Sequence, residues 1–123
     1  MKNRLLAVAA ISEAATGVVL VVYPPIVIKL LFGAKIIGVG VVMSRIAGIA
    51  LIALGVACWR CAEASCALCG MLTYSSLATL YLFYLGLTGG FTGILLWPAV
   101  VAHAVLSMLL AQLWFKTCKE AST

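Results

Sequence analysis

The chain has 123 residues, of which 66% are hydrophobic and 9% are charged, with a formal net charge of +5 and a mean hydropathy of +1.26. Soluble domains contain about 45–50% apolar and about 25% charged residues, so this composition excludes an ordinary water-soluble fold. The basic residues stand singly near the ends of apolar runs. Nucleic-acid binding, which needs a clustered basic face, is therefore excluded as well.

Chain length and hydropathy together predict an all-α integral membrane protein, a four-helix bundle. At about 20 residues per crossing, residues 1–123 form a single transmembrane domain with four spans. The basic start MKNR followed by an apolar run is typical of a secretory signal, but a run that continues to Tyr23 is too long for a signal core. The predicted spans are residues 5–23, 38–58, 68–85 and 93–115.

Proline and glycine mark the connections between the spans. Pro24 and Pro25 stop the first span because neither residue has a backbone N–H. Residues 26–32 are too short to cross a bilayer and are predicted to be an interfacial or re-entrant segment ended by Gly33. The stretch GLTGGFTG is a predicted turn before the fourth span, where Pro98 falls in the opening turns and is tolerated.

The distribution of basic residues predicts the orientation of the chain. Four spans put both termini on one side of the membrane. That side carries five basic residues, against Lys29 and Lys35 on the other: Lys2, Arg4, Arg60, Lys116 and Lys119. Because cytoplasmic flanks are enriched in Lys and Arg, the termini are expected in the cytoplasm and the protein in the inner membrane.

Three ionisable side chains lie inside the predicted spans: Glu13, Arg45 and His103. A charge at the centre of a span costs about 2.5–3.5 kcal/mol on insertion scales, so partners are needed. At about 1.5 Å per residue the three fall at similar depth, with Tyr81 near the same level. We expect a polar interior with a Glu13–Arg45 pair and His103 nearby. It serves either as a ligand site or as a structural contact that holds the helices together.

Small residues beside Arg45 predict close helix packing. Gly40, Ser44 and Gly48 recur every fourth residue, the kind of surface on which membrane helices associate. These surfaces and the short loops favour a homo-oligomer or a subunit of a larger membrane complex, in contact with the lipid bilayer.

Four of the five cysteines form two Cys-x-x-Cys pairs: Cys58, Cys61, Cys66 and Cys69. Such pairs are typical of zinc or iron–sulfur sites or of redox dithiols. Only residues 62–65 separate them, however, which is much shorter than the spacing of zinc ribbons. Reduced interfacial thiols are therefore favoured over a metal or redox site.

The passage RIAGIALIALGVACW, which begins at Arg45, resembles small four-span bacterial membrane proteins of the DoxX-like kind. The stretches PPIVIKLLFGAKIIGVGV and LLWPAVVAHAVLSMLL add to the likeness. The resemblance implies a four-helix bundle and either an association with respiratory quinone chemistry or an accessory role in a larger membrane complex. It implies no catalytic residue beyond a role for Arg45.

The segment AAISEAATG around Glu13 is similar in outline to the first span of the small multidrug resistance family, whose glutamate alternates between protons and a cationic substrate. Arg45 at the same depth would neutralise Glu13 and counts against that function.

The favoured hypothesis is a non-enzymatic accessory subunit, or a protein that binds a quinone-like or lipid ligand. A proton-coupled transporter and a thiol–quinone redox protein are the alternatives. Haem is disfavoured because His103 is the only histidine and bis-histidine ligation would need two chains. Zinc is disfavoured by the short spacing between the cysteine pairs.

Overall fold

The computed structural model describes residues 2–60, 64–91 and 93–121, and within these ranges the chain is all-helical. The helices are α1 (Lys2–Val22), α2 (Pro24–Phe32), α3 (Val39–Arg60), α4 (Ala64–Thr88) and α5 (Leu96–Ala121). All except α2 are long and apolar enough to cross a membrane. The prediction of an all-α chain with four long apolar segments is thereby confirmed, and the fold is compatible with a multi-pass membrane protein.

Two prolines and a glycine set the bounds of α2. Pro24 and Pro25 are its first two residues, where backbone N–H groups have no helical partner and the fixed φ of proline suits helix entry. Gly33 follows the helix in the left-handed conformation, with φ 69°, and its N–H donates to the Lys29 carbonyl at 2.9 Å. This short helix occupies the segment predicted to be interfacial or re-entrant.

The segment before α5 is bonded to α2 instead of extending the helix. The Leu95 N–H donates to the Leu30 carbonyl at 2.8 Å. Gly93 lies so close to α2 that a Cβ atom there would overlap the backbone of Leu31. As a result α5 begins at Leu96 and not at residue 93, and α2 is held against the start of α5.

The long helices form two pairs, α1 with α3 and α4 with α5, and contact between the pairs is much less extensive. Glycines bring α1 and α3 together. A Cβ on Gly17 would lie 2.5 Å from the Gly48 carbonyl oxygen, and a Cβ on Gly48 would lie 2.6 Å from the Gly17 oxygen. Gly55 approaches the Ala10 carbonyl in the same way. The two backbones are therefore as close as small residues allow.

Two apolar clusters lie toward opposite ends of the molecule. The larger one joins the two helix pairs near the chain termini and consists of Leu6, Ala9, Ala10, Cys58, Ala67, Leu68, Met71 and Leu110. The smaller one packs Leu31 and Phe32 of α2 against α4 and α5 through Leu82, Leu96 and Val100. Since α2 also touches α1 and α3, it connects the two pairs at the end where they are otherwise apart.

Candidate functional site

A buried carboxyl group lies near the middle of α1. Glu13 is 5% exposed and lies about 16 Å along the helix axis from Lys2. A carboxyl group surrounded by apolar side chains is costly unless it is hydrogen-bonded or paired. The groups around Glu13 therefore decide what this position can do.

Two side chains from the other helix pair meet Glu13. The His103 Nδ1 atom of α5 lies 3.9 Å from Glu13 Oε1, and the Tyr74 hydroxyl of α4 is placed to donate a hydrogen bond to the same carboxylate. The Tyr74 and His103 rings touch edge to face, with centroids 6.0 Å apart. We call Glu13, Tyr74 and His103 the polar cluster. It bridges the two helix pairs at mid-depth.

The polar cluster lies in the wall of a large cavity between the helix pairs. The cavity volume is about 1380 Å³, and all five helices contribute to its lining, which is mainly apolar. Pockets for drug-sized ligands measure about 300–1,000 Å³. The space therefore has room for a polar head group together with part of an apolar tail.

Two other hydroxyl groups in the cavity wall, both on α1, are engaged with the backbone of their own helix. Ser12 Oγ donates to the Ala9 carbonyl at 2.8 Å and Thr16 Oγ1 donates to the Ser12 carbonyl at 2.9 Å. On α1, Glu13 is therefore the polar side chain of the cavity wall that no helix-internal bond of this kind engages.

Arg45 is not brought to the polar cluster. Its side chain is exposed, and among the described residues it forms no ion pair, whereas Glu13 faces His103. The reason is the geometry of the helix. Gly48 packs against α1 and Ser44 is buried, so this side of α3 faces inward. Arg45 follows Ser44 and lies about 100° further round the helix, so its side chain points away from α1. Arg45 lies about 9 Å from the start of α3, close enough for its long side chain to reach toward the head groups.

The predicted small-residue ridge divides into two parts. Gly48 contacts α1, and Ser44 is buried and lines the cavity. Gly40 instead has the side chain of Ile36 as its near neighbour. The close-packed surface of α3 continues from Gly48 toward the C-terminal end of the helix, as far as Gly55.

Tyr81 and Tyr74 share a face of α4 but lie at different depths. Tyr81 lines the cavity and is 63% exposed, so it lies at the margin. Tyr74, two turns closer to the chain termini, meets Glu13, and sequence reasoning missed it. Tyr74 lies about 15 Å from the start of α4, close to the depth of Glu13 in α1, but depth alone does not show which side chain of α4 faces Glu13.

The cysteines that the structure describes lie away from the cavity. Cys58 is buried in the larger apolar cluster, and its Sγ donates to the Ala67 carbonyl at 3.7 Å. Cys66 and Cys69 are exposed, and none of the described cysteines lines the cavity. Cys61 falls outside the described residues, so the preference for reduced interfacial thiols over a four-thiol metal or redox site stays a prediction. The described part of the chain contains no group of three or more His, Cys, Asp or Glu side chains arranged to hold a metal ion.

Comparison of the chain with protein-family models, curated proteins and solved structures finds no match. The resemblance to DoxX-like proteins therefore stays a prediction, and the candidate site is interpreted from its own geometry.

Proposed function

We propose that this chain is a multi-pass membrane protein that binds a lipid-soluble, quinone-like ligand in the cavity between its two helix pairs. The observation that carries the proposal is the position of the polar cluster, which places Glu13, Tyr74 and His103 in the wall of a mainly apolar cavity of about 1380 Å³. An apolar cavity with a few convergent polar groups is the usual form of a small-molecule site.

The distribution of polarity in the cavity matches an amphipathic ligand. A polar head group at the depth of Glu13 would be held by hydrogen bonds that the hydrocarbon interior cannot supply. An apolar tail would contact the aliphatic walls, among them Val19, Leu20 and Leu109. A ligand of this kind reaches the site from the bilayer, in which it is already dissolved.

The basic residues support a location in the inner membrane with both termini in the cytoplasm. The flanks on the side of the termini carry Lys2, Arg4, Arg60, Lys116 and Lys119, and the opposite side carries Lys29 and Lys35. This asymmetry follows the positive-inside rule. Short connections and small-residue helix surfaces support assembly with further copies or with a larger membrane complex.

A second function, proton-coupled transport, is favoured by the position of Arg45. Arg45 beside Glu13 would have neutralised the carboxylate and repelled a cationic substrate, but the described residues pair Glu13 with His103 instead. Glu13 is thus free of a permanent cation and faces a cavity. Proton-driven uptake that Glu13→Gln abolishes would support transport; equal uptake by both proteins would refute it.

Native mass spectrometry of the purified protein tests ligand binding and assembly together. We expect a bound lipid-soluble molecule in the wild type, and its loss in His103→Phe and in Tyr74→Phe/Glu13→Gln. Arg45→Gln is the matched control: it also alters a polar residue within a span, but one outside the cavity lining, and it should retain the ligand. Thermal unfolding shows that each variant is folded. Loss of the ligand in Arg45→Gln alone, or its retention in both cluster variants, would refute the proposed site.

A further inference from the structure

The two ring nitrogens of His103 are in different environments. Nδ1 is completely buried beside Glu13 and has no hydrogen-bond partner within the described residues. The side chain as a whole is 19% exposed and lines the cavity. The accessible part of the ring therefore lies on the side away from Nδ1, the side that carries Nε2.

The ionisation of Glu13 determines which nitrogen of His103 carries the proton. When Glu13 is ionised, its carboxylate accepts hydrogen bonds and donates none, so the nitrogen that faces it is the N–H donor. The present separation of 3.9 Å is about 1 Å longer than an N–H···O hydrogen bond, and a small side-chain movement closes it. The Tyr74 hydroxyl is placed to donate to the same carboxylate.

A neutral imidazole protonated at Nδ1 presents a lone pair at Nε2. Toward the cavity, His103 is then a hydrogen-bond acceptor. A ligand whose head group donates a hydroxyl proton satisfies this acceptor. A carbonyl or ether oxygen at the same place would put two hydrogen-bond acceptors, the ligand oxygen and Nε2, next to each other with no proton between them. In a buried site such an arrangement costs a large part of the binding free energy.

From this arrangement we infer that the cavity selects a head group with a hydroxyl donor, of the hydroquinone or phenol class, through His103 Nε2, and that Glu13 acts as the positioning residue that fixes the histidine tautomer. The inference deepens the proposed function and rests on it. Only a hydrogen bond is required, with no electron or proton transfer.

The tautomer can be measured directly, because His103 is the only histidine in the chain. Nitrogen-15 NMR of histidine-labelled protein in detergent, at a pH where the ring is neutral, should show the proton on Nδ1. Glu13→Gln should move part or all of the population to the Nε2-protonated form, because an amide can donate as well as accept. Tyr74→Phe, which keeps the carboxylate, should leave the tautomer unchanged. A proton on Nε2 in the wild type would overturn the inference.

Binding experiments separate this inference from the proposed function. The probes are a short-chain prenylated hydroquinone, its dimethyl ether and the corresponding quinone, measured by anaerobic equilibrium dialysis in detergent. The hydroquinone should bind about tenfold to a hundredfold more tightly than the other two. In His103→Phe, which keeps a ring of similar shape, the three affinities should become similar.

The outcomes differ between the two proposals. If all three probes bind the wild type equally, the cavity binds ligands but selection by Nε2 is refuted. If none binds, the proposed function fails as well, and the inference fails with it.

Discussion

Replacing Gly48 by alanine should destabilise the protein by forcing α1 and α3 apart. A Cβ at this position would lie 2.6 Å from the Gly17 carbonyl oxygen, and 2.9 Å from both a Leu20 and a Val21 side-chain carbon. An ordinary van der Waals contact begins near 3.4 Å, so the helices must separate locally by about 0.8 Å, that is, from 2.6 to 3.4 Å. The backbone oxygen cannot move aside as a flexible side chain would.

The expected cost in the free energy of unfolding combines overpacking between α1 and α3 with the loss of side-chain contacts next to Gly48. Additional methyl groups in a close-packed interface typically cost about 1–3 kcal/mol. Alanine also favours the helix by about 0.8–1 kcal/mol over glycine, which offsets part of this cost. We therefore expect a net loss of about 0–2 kcal/mol in the free energy of unfolding, which leaves Gly48→Ala about 1–3 kcal/mol less stable than a Gly→Ala change without overpacking.

Gly70→Ala is the matched control. Gly70 is also in a long helix, but a Cβ there would meet nothing within 4 Å, so alanine should be neutral or stabilising. Thermal or denaturant unfolding in the same detergent compares the two variants. The Gly17→Ala/Gly48→Ala pair should cost less than the sum of the single changes, because one separation relieves both clashes. Equal stability of Gly48→Ala and Gly70→Ala would refute the glycine-mediated packing of α1 on α3.

Three further predictions concern α2, the polar cluster and the orientation of the chain. Gly93→Ala should push α2 away from α5 and speed hydrogen exchange of the Leu95 amide. The control Gly90→Ala, with no atom within 4 Å of its added Cβ, should leave this exchange rate unchanged. Equal exchange of the Leu95 amide in both variants would contradict the packing of α2 against α5. Glu13→Ala should lower the free energy of unfolding by about 1–3 kcal/mol more than Glu13→Gln does, because alanine leaves the Tyr74 hydroxyl without the acceptor that the amide still provides, and equal melting temperatures would argue against the cluster. A variant that retains only Cys118, which is exposed on α5, should react with a membrane-impermeant maleimide in inverted vesicles and not in intact cells; the reverse result would place the termini outside.

Hydropathy predicted the all-helical class and the four long apolar segments, and local chemistry accounts for the ends of α2. Pro24, Pro25 and Gly33 act within a few residues of themselves, and the structure places the ends of α2 where they stand. The start of α5 could not be predicted in this way. It depends on the packing of Gly93 against Leu31, a contact between segments far apart in the chain.

The sequence predicted the depth of Glu13 and His103 along their helices but not the directions in which the side chains point. Calculating depth from 1.5 Å per residue placed Glu13 and His103 at a common level, and the structure brings them together. Depth does not say which way a side chain points. The packing of Gly48 on α1 turned Arg45 outward, and only the relative placement of α1 and α4 shows that Tyr74 completes the cluster.

The glycine contacts between α1 and α3 also determine where the molecule can yield. Two backbones in direct contact cannot approach further, so we expect a change of shape to occur between the helix pairs and not within the α1–α3 pair. Met71 and Leu110, each fully buried, join the two pairs near the termini. At the opposite end the nine residues of α2 contact α1, α3 and α5. In the proposed site, a bulkier head group is therefore expected to act against the contacts of α2, and these contacts would limit the size of the ligand.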